Sequence, residues 1–589
     1  MQPLTDQLSE LFGDAFAAAG YARDYGEVVP NNRPDLGDFQ CNGALAAAGR
    51  YGKNPRALAT EVVDALPSSE MLDEVEVAGP GFINIRVDDR FLADFVEEMA
   101  EDERLGVPLA PQGRRLVLDF GGPNAAKYMH VGHLRSSIIG DSLQRLLTFY
   151  GDEVISDVHL GDWGLQMGML ITEIERRHPD LAYFDPEAEG PFPEESPVTM
   201  DDLQEYYPAA SARTKADPEA MEAAREATRQ LQAGRPGYRA LWQHIIDISD
   251  AELKQDFERL GVEFDLWLGE SDAQPRIEPM IQQLRAEGEA VESEGALVMP
   301  VEREDDKTEI PPLMLLKSDG AVLYGTTDLA TLAQRVERLE PDGLLYVTDA
   351  RQSLHFEQVF RAARQAGLAP PTVDLEHLPF GTMNDPRGHP FKTRSGGVMM
   401  LRELMEMVEE KAAERLEEIE MAEAYGEEEK AEIAHRVALA TLKFADLINH
   451  RARDYVFDLE RFSAFEGRTG PYLLYTAVRA KSILRRAAEQ GLQPGDLLPP
   501  AVAEERELML YLTRLPGVVA FAYETRAPNH LADYVYNLAL TFNRFYRACH
   551  IMTEEDRARQ ASWLALTQFA VDQMELVLDL LGIEVPERM

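Results

Sequence analysis

Cysteine is nearly absent: Cys41 and Cys549 are the only two in 589 residues and lie far apart. They can build neither a zinc ribbon nor a disulfide framework, and they fit a reducing compartment. Long uncharged apolar runs are also missing, so no segment suits a bilayer span. The opening MQPLTDQLSELF lacks the basic start and apolar core of a secretory signal. A cytoplasmic protein without membrane attachment is expected. Lysine is scarce too, 11 of 58 basic residues, and these face 104 acidic ones for a net charge of −46. That sign argues against nucleic acid as a partner, unless the charge is unevenly spread. It is uneven. Acids crowd into segments such as Glu403 to Glu432, whereas residues 471–589 hold 12 basic and 15 acidic side chains, a net of −3. The acidity reads as a solubility adaptation to high intracellular salt, since like charge keeps chains apart where screening is strong.

What is present is organised around RRLVLDFGGPNAAKYMHVGHLRSSIIGDSLQRLLTFY, from Arg114 to Tyr150. Leu116, Val117, Leu118 and Phe120 form a short apolar run that suits a buried parallel strand. Gly121, Gly122, Pro123 and Asn124 then make a turn, and Leu134, Ile138, Leu143 and Leu146 recur at roughly helical spacing. In an open α/β sheet such a loop sits at the carboxyl edge, where the free amides of a helix start attract phosphate. His130 and His133 stand there, with Gly132 between them allowing a nucleotide close to the backbone and Lys127 adding a cation. A metal pair or two surface histidines is the lesser alternative for HxGH alone, and the context lowers it further. No nearby cysteine or HExxH partner supports the metal.

Before this stretch, residues 1 to about 105 read as an α+β unit. Leu4, Leu8, Leu11 and Phe16 mark a first helix, and Val75, Val77, Phe82, Ile83 and Ile85 mark a strand pair around Gly79–Gly81. After it, Glu153 to Val158 reads as a strand, ending in LGDWGLQMG. Residues of about 178–316, Pro-rich and acidic at first and then helical and apolar, read as an insertion between the two halves of the nucleotide fold. AVLYGTTDLATLAQRVERL and LLYVTDARQSLHFEQVFRAA each read as strand then helix, and such alternation implies a parallel sheet. Tyr324 and Asp328, four apart at a helix start, can face one pocket together, and Asp119, Asn124 and Gln352 each lie at an expected carboxyl end of a strand. Alone, an Asp at a helix start is more often a cap. HPFKTRSGGVMML offers a Gly-rich basic loop with Lys392, Arg394 and Ser395. Helical patterns follow from Leu401. Tyr472, Tyr475 and Arg479, and Phe542, Phe545 and Tyr546, fall at helical spacing, where aromatic stripes are usually core but beside arginines can stack on RNA bases.

PNAAKYMHVGHLRS resembles the HIGH signature of class I aminoacyl-tRNA synthetases, and its flanks DFGGPN and SSIIGD resemble the arginyl-tRNA synthetase version. HPFKTRSGGVMML resembles the second signature, KMSKS, with Phe391 where the first lysine belongs, so part of that work is assigned to Lys127. GDFQCNGALA and GPGFINIRV resemble the family's N-terminal domain, which contacts the tRNA elbow. The terminal helices and the ending LGIEVPERM resemble its anticodon-binding domain.

The resemblance implies a Rossmann-like α/β catalytic domain with an insertion, an α+β N-terminal domain and an all-α C-terminal domain. The expected divisions are 1–107, 108–400 with the insertion at about 178–316, a helical connection at 401–469, and 470–589. It further implies attachment of L-arginine to its tRNA through an arginyl-adenylate, with ATP and Mg2+ as substrate complex, no protein-bound zinc, no membrane, and a monomer. Catalysis would fall to His130, His133, Lys127, Lys392 and Arg394, and ATP binding to Gly132, His130, His133 and Ser395. Arginine would be held by Asp119, Asn124, Tyr324, Asp328 and Gln352, and tRNA by Tyr472, Tyr475, Arg479, Tyr546 and Met589. The family often has Glu where Asp119 stands. Activation is expected to need bound tRNA. Two other readings remain at this point, a small-molecule nucleotidyltransferase sharing HxGH and a catalytically silent tRNA-binding relative.

Overall fold

Leu116, Val117 and Leu118 are buried together in the strand Arg115–Asp119, as their unbroken apolar run requires. A computed structural model describes every residue except 32, 319, 390, 392–398 and 418–424. Lys392, Arg394 and Ser395 lie outside the described residues. The chain divides into two units, residues 112–411 with 449–459, and residues 1–111, 412–448 and 460–589.

The first unit is built on a parallel sheet. Arg115–Asp119 lies between Glu153–Asp157 and Gly343–Tyr346, with Asp374–His377 outermost. The register sets Asp119 opposite both Asp157 and Tyr346, so these three side chains mark one carboxyl edge. Strand order reverses at Arg115–Asp119, which opens a crevice above that edge. The helix Val131–Tyr150 leaves the same edge and packs so closely that a Cβ on Gly140 would stand 2.1 Å from the Phe120 ring. Only glycine fits there.

One expectation changes. Ala321 to Leu323 reads as a strand of the parallel sheet, but among the described residues it forms no such strand and Val322 makes an isolated antiparallel bridge to Leu316. The chain turns back on itself there, Lys317 N–H donating to Ala321 O at 3.0 Å, and runs directly into the helix Tyr324–Leu339. The apolar runs before it, Ala296–Met299 and Leu313–Leu316, pair with Val291–Ser293 in an antiparallel sheet.

Residues of about 178–316 share their core with the parallel sheet. Met200, Leu203, Tyr206, Leu241 and Ile245 pack with Ala125, Ala126 and Trp163, while Leu297, Met299, Leu313 and Leu315 pack with Val117, Leu344 and Phe356.

In the second unit, four antiparallel strands run in the order Val28–Pro30, Phe39–Cys41, Phe82–Val87 and Leu72–Ala78, beside helices such as Leu4–Ala18 and Asp89–Glu101. Helices Glu427–Leu447, Gly470–Glu489, Ala503–Leu512, Leu515–Thr525, Asn529–Ala548 and Arg557–Leu580 supply the rest. Arg506 ties the two parts, reaching Asp38 and Asp89 at 2.6 Å each.

Candidate functional site

The crevice above the parallel sheet is a cavity of about 800 Å³, and the residues that meet in it come from every expected strand end. Asp119, Asn124, His130, Gly132, His133, Tyr324, Asp328, Gln352 and Phe391 all line it. Lys127 is not part of this lining, but it is close enough for its charge to act on both imidazoles. Gly161 allows this crowding: a Cβ on it would lie 2.3 Å from Asn124 Oδ1.

The histidines are oriented by the backbone that carries them. His130 precedes the first turn of Val131–Tyr150, and Gly132 N–H donates to its Nδ1 at 3.0 Å. His130 N–H in turn donates to His133 Nδ1 at 3.1 Å, and the rings stack 3.9 Å apart. Each Nδ1 is thus an acceptor, so each ring in its neutral form carries its proton on Nε2. Burial, with the neighbouring His130 and Lys127 charges, drives His133 down to about 3. Burial and Lys127 lower His130 likewise. At neutral pH the pair offers two N–H donors and no charge, so the cation at this loop is Lys127.

The opposite wall is acidic. Tyr324, 66 % exposed, opens the helix on which Asp328 follows one turn later, and His355 Nε2 donates to Asp328 Oδ2 at 2.5 Å. Glu270, the first residue of the helix Glu270–Glu287, enters the cavity from the insertion. Burial, then the charges of Asp328 and Asp162, push its carboxyl up to about 8. Nothing in the sequence pointed to this glutamate, because an acid in the first turn of a helix is the ordinary complement to the helix dipole. Two carboxyl groups on one wall, one of them holding a proton, form a receptor that a cation would complete.

Asp119 sits differently. It is buried, and Arg335 bonds it and Asp157 at 2.7 Å each. Burial raises the Asp119 carboxyl more than Arg335 lowers it. Each of Asp119 and Asp328 has one oxygen engaged, by Arg335 and by His355, but the Asp119 side chain is 12% exposed against 29% for Asp328. His159, also missed from sequence, lines the cavity at φ 43°, and among the described residues both its ring nitrogens lack a partner. Non-glycine residues held in that region carry strain of about 1–3 kcal/mol and concentrate at functional sites.

In the second unit, the Arg479 guanidinium lies 5.5 Å from the Tyr475 ring and 5.4 Å from the Tyr546 ring. Tyr475 is 37 % exposed, whereas Phe542 and Phe545 are core. Tyr472 OH accepts from Asn543 Nδ2 at 2.9 Å. Met589 is 3 % exposed and lines a cavity of about 210 Å³ with Leu416, Tyr425 and Ile433. Among the described residues no cluster of three His, Cys, Asp or Glu is arranged to hold a metal, and no helix is long and apolar enough to cross a membrane.

Three family models match along the chain: "Arginyl tRNA synthetase N terminal domain" over residues 4–87, "tRNA synthetases class I (R), catalytic domain" over 96–459, and "DALR anticodon binding domain" over 473–589. The chain is similar to the arginine–tRNA ligase of Maricaulis maris, 52% identical over 590 residues with 100% of each chain covered. It resembles the crystal structure of arginyl-tRNA synthetase from Plasmodium falciparum at a TM-score of 0.82 and 24% identity, with 100% of both chains covered. The Thermus thermophilus arginyl-tRNA synthetase is similar at a TM-score of 0.77 and 25% identity, again over 100% of both chains.

Proposed function

This chain belongs to the class I arginyl-tRNA synthetases, and from that premise we propose how its cleft divides the work of attaching L-arginine to tRNA. The observation that carries the reading is a single cavity lined by neutral imidazole donors, on which the nearby Lys127 charge acts, and by the acids Asp328 and Glu270. A triphosphate suits the donors and a guanidinium the acids.

The arginine carboxylate attacks the α-phosphate of Mg-ATP in line, and pyrophosphate leaves. The ribose 2′-hydroxyl of the terminal adenosine then takes the arginyl group, releasing AMP. No covalent enzyme intermediate is needed, so positioning and charge stabilisation carry the rate. His130 and His133 donate through Nε2–H to the phosphates, Gly132 lets the nucleotide approach, and Lys127 supplies positive charge. Lys392, Arg394 and Ser395 are assigned to the pyrophosphate as charge develops. Asp328 and Glu270 hold the guanidinium, whose planar fork offers five donors, while Tyr324, Gln352, Asn124 and Asp119 position the rest of the amino acid. Lysine would leave acceptors of this pocket unpaired, which rejects it strongly without editing.

Tyr472, Tyr475, Arg479, Tyr546 and Met589 are assigned to the anticodon loop, in a monomer working in the cytoplasm. The divisions at residues 107, 400 and 469 belong to the same proposal. Relatives matching over the whole chain do not favour a small-molecule nucleotidyltransferase or a silent tRNA-binding protein. Aminoacylation of total tRNA with each amino acid in high salt, run beside ATP–pyrophosphate exchange with and without tRNA, tests the reading. Arginine alone is charged, and exchange depends on tRNA. Charging of lysine at a comparable rate would overturn the pocket assignment, and exchange indifferent to tRNA would remove the requirement for it.

A further inference from the structure

The insertion meets the signature loop through the helix Met200–Ala216. Tyr128 OH donates to Asp201 Oδ1 at 2.8 Å, Gln204 Nε2 donates to Ala126 O at 3.3 Å, and Lys127 Nζ lies 4.1 Å from the centre of the Tyr207 ring. Asp201, Gln204 and Tyr207 are three apart, so they form one stripe along one helix face, and their partners are three consecutive loop residues. A second insertion helix, Pro236–Arg259, grips the same loop from Ser249, whose Oγ accepts from Ala126 N–H at 2.7 Å. Ala126 is held at φ 61°, a conformation alanine adopts only under such restraint.

The insertion also reaches the far flank of the second signature. Leu401 N–H donates to Met129 O at 2.9 Å and Val131 N–H to Met399 O at 3.1 Å, so the two signature segments are paired. Arg402, next in the chain, stands 4.2 Å from the Tyr128 ring and bonds Glu252 at 3.0 Å and Asp256 at 3.3 Å.

Among the described residues, no carboxylate lies within salt-bridge range of Lys127. A lysine stem left free samples many rotamers, and a carboxylate that restrained it would also draw its charge away from phosphate. An aromatic face restrains the ammonium by its quadrupole while leaving the full charge and its N–H donors for a ligand.

We propose that Tyr207 is a positioning residue that aims the Lys127 ammonium at the phosphates, and that the insertion acts as a brace on the signature loop. The inference rests on the reading of Lys127 as a phosphate-binding cation. It is tested by ATP–pyrophosphate exchange with tRNA present, comparing Tyr207→Phe, Tyr207→Leu and Tyr207→Met in the full chain, alone and combined with Lys127→Met. Tyr207→Phe keeps the ring and stays within about twofold of the parent. Tyr207→Leu lowers kcat about fivefold, with KM for arginine unchanged within about twofold, and Tyr207→Met, which fills the volume without a ring, does the same. In the Lys127→Met background neither adds a further loss. Equal losses in both backgrounds, a Tyr207→Phe variant as slow as Tyr207→Leu, or a Tyr207→Met variant as fast as the parent would overturn the proposal. A Lys127→Met variant at parental rate would instead overturn the role of Lys127 on which it rests.

Discussion

Glu270 offers a pH experiment whose size follows from the cleft itself. With the cleft empty its carboxyl titrates at about 8, raised by burial and by Asp328 and Asp162. An entering guanidinium cancels that repulsion and needs an ionised acceptor, so arginine binding expels the Glu270 proton. Arginine therefore binds more tightly as pH rises towards 8, the side on which the carboxylate is already bare, and the gain stops above it. At pH 7 about one free site in ten is ionised, which weakens binding about tenfold. At pH 6 the factor is about a hundred, or about 2.7 kcal/mol at ~1.36 kcal/mol per unit. KM for arginine, measured by aminoacylation from pH 6 to 9 at constant ionic strength, should fall about tenfold per unit up to 8 and then level, while KM for ATP does not follow it. Glu270→Gln should flatten this profile and raise KM at pH 8.5 by about tenfold or more, the loss of one charged hydrogen bond. The same variant should melt higher at pH 8, because the folded carboxyl titrates above its ordinary 4.5, so between the two the unfolded chain releases a proton that the folded one keeps and stability falls as pH rises. A flat arginine profile in the parent, or an undiminished slope in Glu270→Gln, would refute the reasoning.

Removing Arg335 by Arg335→Met leaves Asp119 and Asp157 buried without their shared cation, and denaturant unfolding should register a loss of about 3–5 kcal/mol. A loss below about 1 kcal/mol would mean that the carboxylates find water instead. Tyr475→Ala and Arg479→Ala should each raise KM for tRNA about tenfold and leave the KM values for ATP and arginine alone, since one lost base stack is worth about 1–3 kcal/mol. Unchanged tRNA kinetics would return this stripe to the core. With 104 acidic against 58 basic residues, melting temperature and activity should climb with KCl into the molar range as screening relieves repulsion. Best behaviour in dilute buffer would count against salt adaptation.

Local pattern determined a good deal of this protein by itself. A run of apolar residues followed by glycines and a helical period specified the strand Arg115–Asp119, its loop and the helix Val131–Tyr150, because backbone preference and one-sided burial act over a few residues. The same reasoning gives a parallel strand at Ala321 to Leu323, where the chain instead reverses tightly at Lys317–Ala321 and Val322 forms an isolated antiparallel bridge to Leu316. Tertiary structure alone decided which acids share a cavity and which are taken by another partner. Asp119 and Asp328 look alike in sequence and both reach the cleft, yet Arg335, more than 200 positions beyond Asp119, binds the first in a buried ion pair, while the second is bonded by His355 and stays more exposed. Glu270, His159 and Tyr207 carry no local signature, since a helix-start glutamate, a loop histidine and a helical tyrosine are common everywhere. Their meaning comes from burial and from the charges set beside them, and those are properties of packing between segments far apart along the chain.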